Sequence, residues 1–232
     1  LSALDQLKRT ERIGRSIGRG EAGQLDIGYV ASAAVSGLLS DILARHRSTH
    51  PGVAIKVMGL DTPRQVRALV DGLIDVGIIR PRPSYPDDIR SVVVHREPLA
   101  LAMPSGHPLA TVDRVEPVDL AALPFIVPQL DEAAGFGDIL RDLGALAGGR
   151  IEAAIEVPDF ISAVSLAAAG YGVVLAPSSF RRMGVEGVVY RSIPGFSRMV
   201  ELAVICRRFE PSPNVEAIMR IARAMGAPSI PA

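Results

Sequence analysis

Two hydroxyls and a guanidinium stand where three short apolar runs end. Ser32 follows Leu25–Val30, Thr62 lies just past Val53–Met58, and Arg80 directly follows Val76–Ile79. A hydroxyl both donates and accepts, whereas a guanidinium carries a permanent charge and a planar fork of donors that matches a carboxylate. Together these groups recognise a small anion, most simply a carboxylate. Each also has a plainer reading. Ser and Thr cap helix amino termini, stabilising them by about 1 kcal/mol. An Arg at the end of a buried strand needs an anionic partner, and Asp61, Asp87 or Asp88 would serve as one.

The surrounding pattern is what gives these residues a common address. The three apolar runs are short and rich in β-branched members, as buried strands are. After Ser32, apolar residues recur at Val35, Leu38, Leu39, Ile42 and Leu43, which predicts a helix. Pro63 opens a second helix (Val66, Leu69, Val70) at a position where the first turn tolerates proline. Strand, helix, strand, helix, strand is the order of an open parallel sheet. Such sheets bind ligands beyond the carboxyl ends of their strands, where helix amino termini point N–H groups outward. Ser32, with the neighbouring Ala33 amide, and Thr62 then face the same point as Arg80.

Farther on, the chain reads as a second lobe of the same kind. A strand at Pro98–Met103 leaves the first lobe. It is followed by a strand at Phe125–Val127, a helix near Gly137–Leu146, a strand at Ile151–Val157, a helix at Asp159–Ala169 and a strand at Val173–Ala176. A return near Ser197–Val200 leads to Glu201–Arg207 and a last helix, Pro213–Met225. The expected class is α/β, with two Rossmann-like lobes joined by two crossover strands. The boundaries are 1–22 for a linker-helix end and hinge, 23–96 with 199–232 for lobe I, and 97–198 for lobe II. Lobe II is expected to supply an opposite wall from Pro128, Gln129, Gly135, Phe136 and Phe160. Phe160 has two readings, a ring stacked on a flat ligand or a member of the lobe core. Asp159 reads as a helix cap, since its carboxylate would repel an anion.

Composition narrows the class. The chain has 232 residues with 25 basic and 25 acidic side chains, so its net charge is zero. No basic face announces nucleic-acid binding by this chain itself. The single cysteine, Cys206, excludes an internal disulfide and fits a reducing cytoplasm. No apolar stretch reaches the ~18 residues of a membrane span. The first residues lack the pattern of a secretory leader, and with no initiator Met they read as part of something longer. The glycine pattern at Gly18–Gly23 precedes a strand instead of following one, so it is not a dinucleotide fingerprint.

Catalytic patterns are missing as well. The histidines, at 46, 50, 95 and 107, are scattered, and His46 and His50 read as positions on a surface helix without a zincin glutamate between them. Cys206 lies in an apolar strand and reads as a small buried hydrophobe. Arg207 and Arg208 read as a solvated strand end. No cofactor or metal is expected.

The run from Ile27 to Arg80, IGYVASAAVSGLLSDILARHRSTHPGVAIKVMGLDTPRQVRALVDGLIDVGIIR, resembles the start of the effector-binding domain of LysR-type transcriptional regulators. EPLALAMPSGHPLA at Glu97–Ala110 and AAGYGVVLAP at Ala168–Pro177 are similar to later segments of that family. The resemblance runs in order from Glu21 to Met225. It implies the periplasmic-binding-protein-like (type 2) clamshell and a small-molecule effector in the cleft between lobes, contacted by Ser32, Thr62 and Arg80. By those three residues the chain is most similar to members that respond to muconate or benzoate. The resemblance further implies a cytoplasmic homo-oligomer, paired through helices around Leu38–His46 and Ser162–Ala169. DNA would be bound only by a winged helix-turn-helix upstream, joined through the Arg-rich segment 1–19. A free-standing solute-binding protein of the same architecture and an α/β enzyme are the competing readings. A leader or anchoring cysteine would mark the first, and a base, nucleophile or metal set the second.

Overall fold

Leu25 and Ile27 are fully buried on β1 (Gly23–Tyr29), and this strand organises the first half of the molecule. Burial of each such side chain contributes about 1.5–3 kcal/mol. The computed structural model describes residues 18, 20–112, 114–128 and 136–226. The expected linker helix at 1–19, apart from Gly18, lies outside the described residues, as do Gln129 and Gly135. The chain divides into two compact units, one running to His95 and resuming at Glu201, the other spanning Arg96–Val200.

In the first unit β1 pairs in parallel with β2 (Val53–Gly59) on one side and β3 (Val76–Ile79) on the other. The sheet order is β2-β1-β3-β9-β4, with β9 (Met199–Arg207) antiparallel to β3 and β4 spanning Ile89–Pro104. The chain thus goes from β1 to one neighbour and then crosses to the other, which makes β1/β3 a topological switch point. Helices cover both faces. Helices α1 (Ala31–Val35), α2 (Leu38–Thr49) and α6 (Pro213–Gly226) pack Ala33, Leu38, Ile42, Ile218 and Met219 against Leu25, Ile27, Val76 and Ile78. On the other face, Leu69 of α3 (Thr62–Val70) joins Ile74, Ile79, Ala203 and Ile205. All four residues of β3 are buried, as a strand covered on both faces should be.

Four local expectations are corrected here. The helix after Ser32 is two helices, because Gly37 (φ 86°) takes the left-handed conformation between α1 and α2. The strand expected at Pro98–Met103 begins earlier, as β4 (Ile89–Pro104). His46 is 1% exposed and stacks on His50 at 4.7 Å, so it belongs to the interior of its helix pairing and not to the surface. Arg207 is no solvated strand end: its guanidinium donates to the carbonyls of Leu69 and Ile74, both at 2.9 Å, and pairs with Asp75 and Glu210. It ties the turn after α3 to β9.

The second unit has its own sheet. Beyond Glu97, β4 pairs antiparallel with β7 (Val174–Pro177) and with β8 (Val188–Arg191). Strand β5 (Phe125–Pro128) pairs in parallel with β6 (Ala153–Val157), and a single bridge joins Phe125 to Val173. Helix α4 (Phe136–Leu146) and α5 (Phe160–Ala168) bury Leu140, Leu143, Ala163, Val164 and Ala167. Glu97 is only 5% exposed, and its carboxylate accepts from the Ser179 amide at 2.6 Å and the Ser179 hydroxyl at 3.0 Å. Those donors open the 3-10 turn Ser178–Met183, a positive end that suits a buried carboxylate. Among the described residues no helix is long and apolar enough to cross a membrane.

Candidate functional site

The carboxyl ends of β1 and β3 bring Ser32, Thr62 and Arg80 into one hydrogen-bonded chain. Arg80 follows β3, and its Nη2 donates to Ser32 Oγ at 2.6 Å. Its backbone N–H donates to Thr62 Oγ1 at 3.2 Å, and that hydroxyl reaches the Arg80 carbonyl at 3.5 Å. Ser32 and Thr62 are each 3% exposed, so both hydroxyls are held in packed surroundings. Arg80 is half-buried. A cation in such a place keeps donors oriented before any ligand arrives, and the low local dielectric strengthens its attraction for an anion. Ala33, beside Ser32, is fully buried in the first turn of α1.

The capping readings do not hold for the two hydroxyl residues. Ser32 lies inside α1, whose N-cap is Val30 with no side-chain cap. Thr62 is the first residue of α3, and the cap is Asp61, which accepts from the Arg64 amide at 2.8 Å and pairs with the Arg64 guanidinium at 3.2 Å. Asp61 therefore spends its charge on its own helix terminus. The sequence pattern Asp-Thr-Pro hid this, since either of its first two residues can cap.

Close by, Arg82, Ser84, Tyr85 and Pro86 face α3 across a groove of about 490 Å³ lined also by Val66 and Val70. The Arg82 amide donates to the Tyr85 hydroxyl at 2.8 Å. Burial pushes the Arg82 guanidinium below its ordinary range, an effect that Tyr85 and Asp61 partly offset.

In the second unit, Pro128 is buried at the end of β5. Phe136 and Phe160 pack edge to face at 5.3 Å, and Phe160 meets Phe180 at 5.4 Å. Phe136 is 8% and Phe160 5% exposed, which places both rings in the core of that unit. Asp159 caps α5, accepting from the Ser162 amide at 2.8 Å. Gln65 is a buried polar residue beside the site that carries no mark in the sequence. A glutamine on an amphipathic helix carries no signal that separates it from a solvated one. Elsewhere, burial pushes the Cys206 thiol up, against a smaller opposing effect of Arg90, and this keeps the sulfur protonated at neutral pH.

Comparison with known proteins agrees with this architecture. The family model "LysR substrate binding domain" matches residues 18–227. The Escherichia coli K12 regulator YnfL, described as an uncharacterized HTH-type transcriptional regulator, is 32% identical over 181 residues, which are 77% of this chain and 59% of that protein. The chain thus spans well under two thirds of that relative. The crystal structure of CbnR, a LysR family transcriptional regulator, superposes with a TM-score of 0.81 at 23% identity, covering 95% of this chain and 75% of CbnR. The BenM effector binding domain with its effector benzoate gives a TM-score of 0.72 at 25% identity, covering 90% of this chain and 96% of that domain. The matched segment takes in both units and every strand described above, and the chain belongs to the LysR substrate-binding domain family.

Proposed function

We propose that this chain is the ligand-sensing domain of a LysR-type transcription factor, and that its effector is a small carboxylate, most simply an aromatic acid. The observation that carries this reading is the Ser32–Arg80–Thr62 chain at the β1/β3 switch point. Arg80 supplies the charge, and the hydroxyls and first-turn amides of α1 supply the directional bonds. The benzoate bound by a BenM domain of the same fold supports the chemical class. The whole protein would work in the cytoplasm as a homo-oligomer and carry its signal to a DNA-binding domain outside this chain. Effector binding need only favour one conformational state by about 1–3 kcal/mol to act as a switch.

A thermal-shift series with benzoate and muconate tests this, repeated on Arg80→Ala and Ser32→Ala. A ligand at about 100 times its dissociation constant adds ~2.7 kcal/mol of stability. The expected result is a raised midpoint with one acid that either substitution removes. An equal rise in the Arg80→Ala protein would move the site elsewhere, and no rise with either acid would exclude this effector class.

A further inference from the structure

We infer that Gln65 is a positioning residue for the effector site, a role that rests on the function proposed above. Gln65 is 0% exposed and sits one turn into α3, approaching the same strand glycines as Ile74 and Ile205 of the apolar cluster on that face. Its Nε2 donates to the Leu60 carbonyl at 2.8 Å and to the Ile78 carbonyl at 3.3 Å. The Ile78 carbonyl also accepts from the Val30 amide at 3.0 Å, and the Leu60 amide donates to the Tyr29 carbonyl at 3.0 Å. One side-chain amide therefore joins the ends of β1, β2 and β3. Each site residue stands two positions beyond a group in this network: Ser32 after Val30, Thr62 after Leu60, Arg80 after Ile78.

Stability alone does not call for a glutamine here. Its Oε1 is buried with no hydrogen-bond partner, and leaving such an atom unsatisfied is unfavourable. An apolar residue would extend the surrounding cluster at no such penalty. Room for the amide comes from two strand glycines. A Cβ on Gly28 would lie 3.0 Å from Oε1, and one on Gly77 would lie 2.9 Å from it. A buried, half-satisfied polar group accommodated by two glycines beneath three site residues marks geometry held for function. Without the two N–H donors, the β2–α3 and β3 ends lose their common tie. The contact between the Arg80 amide and Thr62 Oγ1 then stands with less support beneath it.

Two substitutions and two readouts test this. Gln65→Met keeps the volume and removes both donors; Gln65→Glu keeps the shape and puts one oxygen in place of the Nε2 that faces both carbonyls. The first readout needs no ligand: hydrogen exchange of the Arg80 amide, measured against the Ile27 amide of the same sheet. Both variants are expected to speed Arg80 exchange relative to Ile27 by about threefold to tenfold, a loosening on the scale of one hydrogen bond's net contribution. The second is benzoate and muconate affinity. Gln65→Met is expected to weaken an acid that the unmodified chain binds by a similar factor. Unchanged relative exchange at Arg80 in a folded variant overturns the proposal. So does an equal rise in Ile27 exchange, which signals general loosening. If Arg80 exchange rises as expected while neither acid binds the unmodified chain, the positioning role stands and the carboxylate reading falls.

Discussion

Arg80 is anchored at both its main chain and its side chain, by hydroxyls that come from two different helices. This gives its two partners separable effects. Thr62→Val preserves shape but removes the acceptor for the Arg80 amide at 3.2 Å, and should cost about 0.5–1.5 kcal/mol in urea unfolding, with Thr62→Ser close to the unmodified chain. Arg80→Lys should keep stability yet lose acid binding, because an ammonium cannot reproduce the planar fork that reaches Ser32 and a carboxylate together. His46 sets a pH dependence. Its Nε2 is buried without a partner, and burial, then the neighbouring His50, hold its pKa below the ordinary imidazole value. The unfolded chain then binds the proton more readily than the folded one. Stability is fully present above about pH 6.5 and is lost as pH falls from there toward the folded-state value. Melting temperatures taken from pH 8 down to pH 5 should decline in this window, and His46→Gln should flatten the decline; an unchanged slope would remove His46 as its source.

At the scale of elements, what the sequence shows and what it hides have physical causes. The buried strands were readable because a strand covered on both faces is a short, continuous apolar run, as at β3 and β7. The break at Gly37 was not, because apolar spacing continues across it from Val35 to Leu38 and one left-handed residue leaves no periodic mark. Strand β8 leaves no mark in the sequence, since its four residues are all half-buried, with no alternation to read. At the site, the order Ser32, Thr62, Arg80 could be read, whereas the bonds linking them depend on register between strands far apart in sequence. Two substitutions examine the elements that set this register. Asp61→Ala removes the cap of α3 and should lower stability by about 0.5–2 kcal/mol in urea unfolding. Gly77→Ala puts a methyl 2.8 Å from Ile205 Cγ1 as well as against Gln65, and with so little room on both sides should destabilise by about 1–3 kcal/mol. A neutral result there would mean that β3 and β9 can shift apart more easily than their burial implies.

At the scale of the whole molecule, the self-association proposed above would draw on one face of the first unit. Strand β2 ends the sheet order, so among the described residues one row of its backbone groups has no strand beside it. Ile55 and Val57 are 37% and 43% exposed on that strand. They pair in register with Leu25 and Ile27, whose side chains face α2, so the exposed pair and α2 lie on the same side of the sheet. A stable interface buries about 1,200–2,000 Å² in total, more than an edge strand provides. Helix α2, with half-buried Leu39 and Leu43, would contribute the rest. Sedimentation velocity at rising concentration should show a dimer of this chain. Ile55→Lys should shift it to monomer, since a charge facing apolar surface must be desolvated when the copies meet. Leu73→Lys makes the matched control: Leu73 is 66% exposed in the turn between α3 and β3, away from this face, and its replacement should leave the dimer intact. A chain that stays monomeric throughout, or a dimer indifferent to Ile55→Lys, would free the β2–α2 face from this role and leave the acid-binding reading to stand on Arg80 alone.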